Sequence, residues 1–247
     1  MRILVFCAFI MLIQGCASTQ GIASKEVAAK SKIFIASQLN NEFNFQVTGT
    51  TAFQNKKFAA NVEHWELNSH VENRVINQLK GVYSPQTYNQ INDQLTIPSD
   101  NYLTGYSNAM TSENGLNILK KQGFDYVLFI TSIDFQDAYY QTNQYVEGYG
   151  IYNRSFFGSD NKIVYSQISF TLFDVNTGKF LASNGDTGHN GGDSVWITHK
   201  NITISKDISN LEQLNEIVEN YKSDVFTLTN NLVDKSIKYM GFQVQKL

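Results

Sequence analysis

Five consecutive apolar residues, Tyr126-Val127-Leu128-Phe129-Ile130, constrain this chain most. A short run without alternation is how a strand covered on both faces reads. Ahead of it, residues 112–122 have helical character, with Lys120 and Lys121 in the last turn and Gly123 behind them. Cations complement the negative end of a helix, and glycine takes the left-handed conformation that closes one. Helix, glycine turn and buried strand make half of a βαβ unit, so a sheet with helices packed on it follows.

The remaining pattern fills in around that unit. Lys32-Ile33-Phe34-Ile35-Ala36 suits a strand, and Phe43, Phe45 and Val47 alternate with polar neighbours as in a half-buried strand ending at Gly49-Thr50-Thr51. From Asn61 to Lys80, Val62, Trp65, Val71, Val75, Ile76 and Leu79 mostly keep helical spacing, with Lys80-Gly81 as a stop. Residues 82–110 hold both prolines, Pro85 and Pro98, and read as a short strand or turn followed by loop. Ile168, Phe170 and Leu172 alternate with Gln167, Ser169 and Thr171, which predicts a strand with one wet face. Asp174 through Lys179, with Gly178, supplies turn chemistry, and Phe180-Leu181-Ala182 returns to complete a hairpin. Ser209 and Glu212 have capping-box spacing before Leu211, Leu214, Val218, Tyr221, Val225, Leu228 and Leu232, with Gly241 after the end. A helix of ~30 residues exceeds the usual globular length, so a kink is expected near 227–230. No internal repeat or charge block divides the chain. The expectation is one α/β or α+β domain: a mixed sheet packed by helices, with a long C-terminal helix.

The first residues carry a different message. Met1-Arg2 precedes an apolar stretch from Ile3 to Ile13, followed by Gln14-Gly15-Cys16-Ala17-Ser18. A positive start, a short apolar core and a small residue before the cut describe an export signal. The stretch is too short for a span, which needs ~20 residues. Leu12-Ile13-Gln14-Gly15-Cys16 resembles the bacterial lipobox, although Gln14 stands where a small residue is more usual. That resemblance implies removal of residues 1–15, a diacylglycerol thioether on Cys16 and, in most cases, acylation of the new amino terminus. Several chains at ~0.8 kcal/mol per buried methylene make a stable anchor. Residues 16–31 then read as a lipidated tether, and 32–247 as the folded domain.

Processing would also remove Cys7, leaving Cys16 as the one remaining cysteine, consumed by the lipid. Thiol nucleophiles, cysteine zinc sites and disulfide staples drop out together. The remaining 232 residues must stand on their core, and a chain of this size buries roughly 70% of its unfolded surface. Losing Arg2 from 19 Lys and Arg leaves 18 against 22 Asp and Glu, a formal charge of −4. A mildly acidic domain does not suit a nucleic-acid partner, which calls for a basic face. Ala17 and Ser18 after the cysteine, rather than Asp, imply the outer membrane facing the periplasm under the sorting rule of enteric bacteria.

The lipobox, the buried strand after a helix and the 168–182 segment with its turn at Asp174 together resemble the periplasmic α/β domains of envelope lipoproteins. The curli-secretion lipoprotein, the amino-terminal domain of TolB and the lipoprotein activators of penicillin-binding proteins are of this type. The resemblance implies an assembly or accessory role without catalysis, and it transfers no functional residue.

Two segments are candidate sites. Residues 185–193 combine Asp186, His189 and Asp193 with four glycines, which suit a weak cation site or a general base; the alternative is a solvated loop after a hairpin. Residues 139–157 hold seven aromatic residues and Arg154. Tyr145, Tyr149, Tyr152, Arg154, Phe156 and Phe157 form a candidate partner-binding surface, because Tyr and Arg favour interface hot spots; the alternative is that the rings cover the sheet. His64, His70 and His199 read as surface residues, and Gly148-Tyr149-Gly150 lacks what a dinucleotide loop requires. The favoured expectation is therefore a non-enzymatic outer-membrane lipoprotein that binds a protein or glycan, with homo-oligomerisation open and no cofactor. Two alternatives remain. One is a curli-type pore subunit pairing 130–140 with 163–173 as membrane hairpins; the other is a hydrolase built on Asp186, His189 and Asp193.

Overall fold

A computed structural model describes residues 27–87, 113–156, 159–184, 197–204 and 208–244. The signal, Cys16 and most of the tether lie outside these residues. Along the chain run β1 (Lys32–Gln38), β2 (Glu42–Thr48), β3 (Lys56–Asn61), α1 (Leu67–Leu79) and β4 (Ser84–Thr87). Next come α2 (Glu113–Lys121), β5 (Tyr126–Ser132), β6 (Asp134–Gln136), β7 (Tyr145–Glu147), β8 (Tyr149–Phe156) and the 16-residue β9 (Ser159–Asp174). β10 (Phe180–Ser183), β11 (Ile197–Ile202), α3 (Leu211–Ile217) and α4 (Lys222–Tyr239) complete it.

Among the described residues, nine strands form one mixed sheet in the order β3-β2-β8-β9-β5-β1-β4, and β10 and β11 also pair with β9. β9 is the spine. Its first half carries β8 and β11, its second half β5 and β10, all antiparallel. β1 runs parallel to both β4 and β5, which completes the βαβ logic of the opening run. Pro85 sits in β4 at the sheet edge, where a missing N–H costs no interior ladder bond.

The run at 126–130 is buried on both faces. Leu128 and Ile130 belong to the main core under the helices, while Val127 and Phe129 join Phe34, Leu119 and Phe124 on the other side. Each such side chain contributes about 1.5–3 kcal/mol on leaving water. Gly123 ends α2 with φ +74°, and Phe124 N–H returns to the carbonyl of Leu119 at 3.0 Å. Facing the helices, Phe43, Ile151, Val164 and Phe170 pack against Val71 and Val75 of α1 and Val225 and Leu232 of α4. Arg74 clamps α1 to α4 through Asp234, at 2.8 and 2.6 Å.

Several expectations shift. The helix predicted from Asn61 starts at Leu67, because Asn61 is drawn into the β2–β3 ladder opposite Glu42 and Glu66 adopts φ +53°. The C-terminal helix breaks at a 3₁₀ turn over Val218–Tyr221, before the expected 227–230. Its cap is Asn210, whose side chain accepts from Gln213 N–H at 2.9 Å, while Gln213 Oε1 accepts from Ser209 N–H and Oγ–H. The cap therefore stands one residue beyond the Ser209–Glu212 box. Packing also begins ahead of Lys32: Val27 is buried, and Lys30 N–H donates to the Val82 carbonyl at 2.7 Å.

The largest correction concerns polar alternation. Asn44, Gln46 and Thr48 of β2 are buried, as are Gln167, Ser169 and Thr171 of β9, so neither strand has a wet face. For β9 the reason lies between β5 and β8. Ser132 pairs with Ile168 and Tyr149 with Ser166, and the residues between leave the sheet as the β6–β7 hairpin and fold over it. Gln167 Nε2 donates to the carbonyls of Ile133 and Val146 in that cover. Regions 130–140 and 163–173 are therefore not one continuous hairpin, since β6 pairs with β7 rather than β9.

These registers give the domain two poles. Ile33 is level with Tyr126 and Asp174, whereas Thr48 is level with Arg154 and Asn161. Thirteen residues of β9 separate the two levels, roughly 40 Å at ~3.3 Å per residue. Val27 lies at the first pole. The β2–β3 turn lies at the second.

Candidate functional site

The β2–β3 turn is a rigid loop with one bare aromatic ring. Arg154 Nη1 donates to the carbonyls of Thr48 at 3.0 Å and Gly49 at 2.7 Å, fixing its base. Asn55 Oδ1 accepts from Gly49 N–H, and Gln54 Oε1 accepts from Thr50 and Thr51 N–H, at 2.9–3.2 Å. Side-chain amides thus satisfy backbone donors that a short turn leaves orphaned. Phe53 stands on this loop at 100% exposure.

Beside the loop, a cleft of about 400 Å³ is lined by Gln46, Asn55, Lys56, Lys57, Gln144 and Tyr145, among others. Tyr145 is 53% exposed on β7. Lys57 reaches Glu147 at 3.4 Å across the cleft's margin, and Lys56 is exposed. Nearby, burial first and the Glu147 charge second push the Asp134 carboxyl above the usual carboxylate range. Gln46 is buried to 6% exposure, and its Oε1 has no hydrogen-bond partner. A buried acceptor left unmade costs about 1–3 kcal/mol. The cleft combines side-chain amides, an exposed ring and lysine.

The wall carrying Tyr145 is held by one carboxylate. Asp137, 4% exposed, accepts from the backbone N–H of Tyr139, Tyr140 and Thr142, from the Thr142 hydroxyl and from the Tyr152 hydroxyl, at 2.8–3.1 Å. Tyr139 and Tyr140 lie over Tyr152, and Tyr139 also over Tyr165, with ring centroids 5.3–6.3 Å apart. Burial is the first cause raising every one of these phenols, with the Asp137 charge adding to Tyr139, Tyr140 and Tyr152; Tyr140 is pushed up to about 12.

This geometry redistributes the aromatic candidates. Tyr149 and Tyr152 are buried on opposite faces of the sheet, Tyr149 in the helix-side core and Tyr152 under the hairpin, so neither ring is exposed. Arg154 braces the Phe53 loop. Of the set, Tyr145 is the exposed ring; Phe157 lies outside the described residues, and Phe156 is placed by its backbone in β8. Asp186, His189 and Asp193 also lie outside them. Among the described residues, no three His, Cys, Asp or Glu side chains converge on a metal-sized site, and no helix is long and apolar enough to cross a membrane. His64 pairs with Glu219 at 2.7 Å and His70 with Asn230 at 2.8 Å. The reading of the residues missed Phe53 and Gln46. Phe53 carried a faint signal, a lone apolar residue in a polar turn; Gln46 carried none, because its burial comes from distant chain.

No family model matches this sequence, and no curated protein does. Among solved structures, the chain is similar to a Xanthomonas campestris protein of family DUF330, at 9% identity, 83% coverage of each chain and a TM-score of 0.38. It is also similar to PelC from Paraburkholderia phytofirmans, solved as a dodecamer, at 12% identity, covering 92% of this chain and 96% of that one, with a TM-score of 0.37. The C-terminal domain of LpoB from Escherichia coli gives 13% identity, 74% and 93% coverage and a TM-score of 0.28. These likenesses are distant.

Proposed function

We propose that this chain is a non-enzymatic accessory lipoprotein of the bacterial envelope, held by a lipid on Cys16, whose domain binds a partner with its distal pole. One observation carries the reading. Phe53, fully exposed on a braced loop, stands roughly 40 Å from the pole where the chain leaves Val27 toward Cys16. A bare aromatic ring leaves apolar surface in water that a partner can bury. Holding it on a rigid loop lowers the ordering cost of binding. The lipobox-like Leu12–Cys16 supports the anchor, and placement at the far pole suits a domain that reaches away from its membrane.

The test is capture from the native host after in-cell cross-linking, comparing the tagged full chain with a Phe53→Ser, Tyr145→Ser double variant. Loss of the recovered partner at unchanged thermal stability is the expected result. Full recovery by the double variant overturns the reading. Replacement of Cys16 by Ser is expected to abolish palmitate labelling and release the protein from the membrane fraction, and retained labelling removes the anchor from the proposal.

A further inference from the structure

The proximal pole gathers positive charge on a chain that is acidic overall. Three helices end there: α1 stops at Lys80, α2 carries Lys120 and Lys121 in its last turn, and α4 carries Lys238 in its last turn. Lys30 precedes β1, and Lys179 lies in the turn between β9 and β10. The registers set the starts of β1, β4 and β5 level with the end of β9. Beyond α4, Phe242 meets Tyr83 beside β4, with ring centroids 5.7 Å apart, which brings the end of that helix to the same pole. All six lysines are exposed.

The carboxylates at this level, Asp125 and Asp174, are turned to backbone, accepting the N–H groups of Lys32 and Thr177 at 2.8 Å. Among the described residues, none of the six lysines pairs with a carboxylate, whereas Lys57, Arg74 and Lys200 reach Glu147, Asp234 and Asp224. Helix ends account for some of this charge, since each C-terminus carries about half a negative charge that a cation complements. Lys30 and Lys179 stand on no helix, and the six together exceed what three termini balance. Phe180 and Val244, 38% and 45% exposed, add apolar side chains to the same pole.

Val27 follows Cys16 by eleven residues, at most roughly 40 Å of fully extended chain. A lipid on Cys16 therefore holds this end of the domain near a bilayer. Clusters of roughly four to eight lysines beside a membrane attract anionic headgroups, and neighbouring apolar side chains can enter the interface.

We propose that the proximal pole docks on an anionic phospholipid surface, its six lysines meeting headgroup phosphates while the distal pole is held away from the membrane. This rests on the Cys16 anchor and names what the anchored end touches.

The experiment mixes the purified full chain with vesicles of phosphatidylcholine, alone or with about 30% phosphatidylglycerol, and reads flotation and the acetylation rate of each lysine by mass spectrometry. With anionic vesicles the six lysines should react about 3-fold or more slowly than with neutral ones, and roughly 0.5 M NaCl should erase the difference. Lys56, at the distal pole, should react equally in both. A Lys120→Gln, Lys121→Gln, Lys179→Gln variant, altered on exposed side chains alone, should keep its thermal stability and lose most of the protection at Lys30, Lys80 and Lys238. Equal acetylation in the two lipids overturns the proposal. So does equal protection by soluble poly-glutamate beside neutral vesicles, which assigns the face to an acidic protein. Flotation with both vesicles but equal acetylation leaves the anchor standing without the docking face. Flotation and protection with the anionic vesicles alone leave the docking face standing without the anchor, and flotation with neither ends both.

Discussion

The two faces of the sheet are closed by different physics. The helix face is sealed by α1 and α4, whose apolar side chains meet Phe43, Ile151, Val164 and Phe170. The opposite face is sealed in part by α2 but, beside the distal pole, by the β6–β7 hairpin. There Tyr139 and Tyr140, held by the five donors on Asp137, lie over Tyr152, Tyr165 and Gln167 of the sheet. Non-directional burial tolerates small errors of position, whereas a hydrogen-bonded cover must be complete. The cleft and Tyr145 belong to the second kind of surface.

The most damaging change strikes where the two faces share one strand pair. A Cβ at Gly150, which holds φ +154°, would lie 1.9 Å from the Asn44 carbonyl oxygen of β2. Gly150→Ala is expected to cost about 4 kcal/mol or more, or to prevent folding, as read by denaturant unfolding. Next come paired probes of the faces. Leu232→Ala and Asp137→Ala should each cost about 3 kcal/mol, through a cavity in the first case and orphaned donors in the second. Hydrogen exchange separates them: Asp137→Ala should speed exchange in 134–147 while α4 stays protected, and Leu232→Ala should raise exchange through α4 and the sheet. Matching exchange patterns would dissolve the contrast.

Alkali should destabilise the hairpin side, where four tyrosines gather. Tyrosines of the unfolded chain ionise near ~10, whereas burial holds Tyr139, Tyr140, Tyr152 and Tyr165 higher, Tyr140 at about 12. Raised folded values mean that the stability they carry is intact below pH ~10 and lost as pH climbs through ~12. The tyrosinate absorbance that a Tyr139→Phe, Tyr140→Phe double variant loses should therefore rise together with loss of structure; titration of that fraction near ~10 in an intact fold would contradict this. The smallest effect is at the loop base. Arg154→Met removes two donations to Thr48 and Gly49 and should cost about 1 kcal/mol, with faster proteolysis at 49–55.

The contrast between faces also explains what could be read from the residues alone. Val71, Val75, Leu128 and Leu232 announce the helix side because periodicity is local, and the Asp174–Lys179 turn declared its hairpin for the same reason: Thr177 N–H bonds Asp174 Oδ1 and Gly178 takes φ +69°. Gln46, Gln167 and Ser169 looked solvated because what covers them is chain far away in sequence. Tyr149 and Tyr152, two residues either side of Gly150 and Ile151, looked like one exposed cluster. Both lie on β8, and a separation of three residues along one strand sends them to opposite faces. The site was legible only in Tyr145.

The central claim is that the distal pole, and not the pole near Val27, meets the partner. A photo-crosslinking amino acid placed at Phe53 or at Gln122, an exposed residue ahead of Gly123 at the proximal pole, tests it in living cells. Position 53 is expected to yield a discrete cross-linked species and position 122 none. A species from 122 with none from 53 would contradict the account.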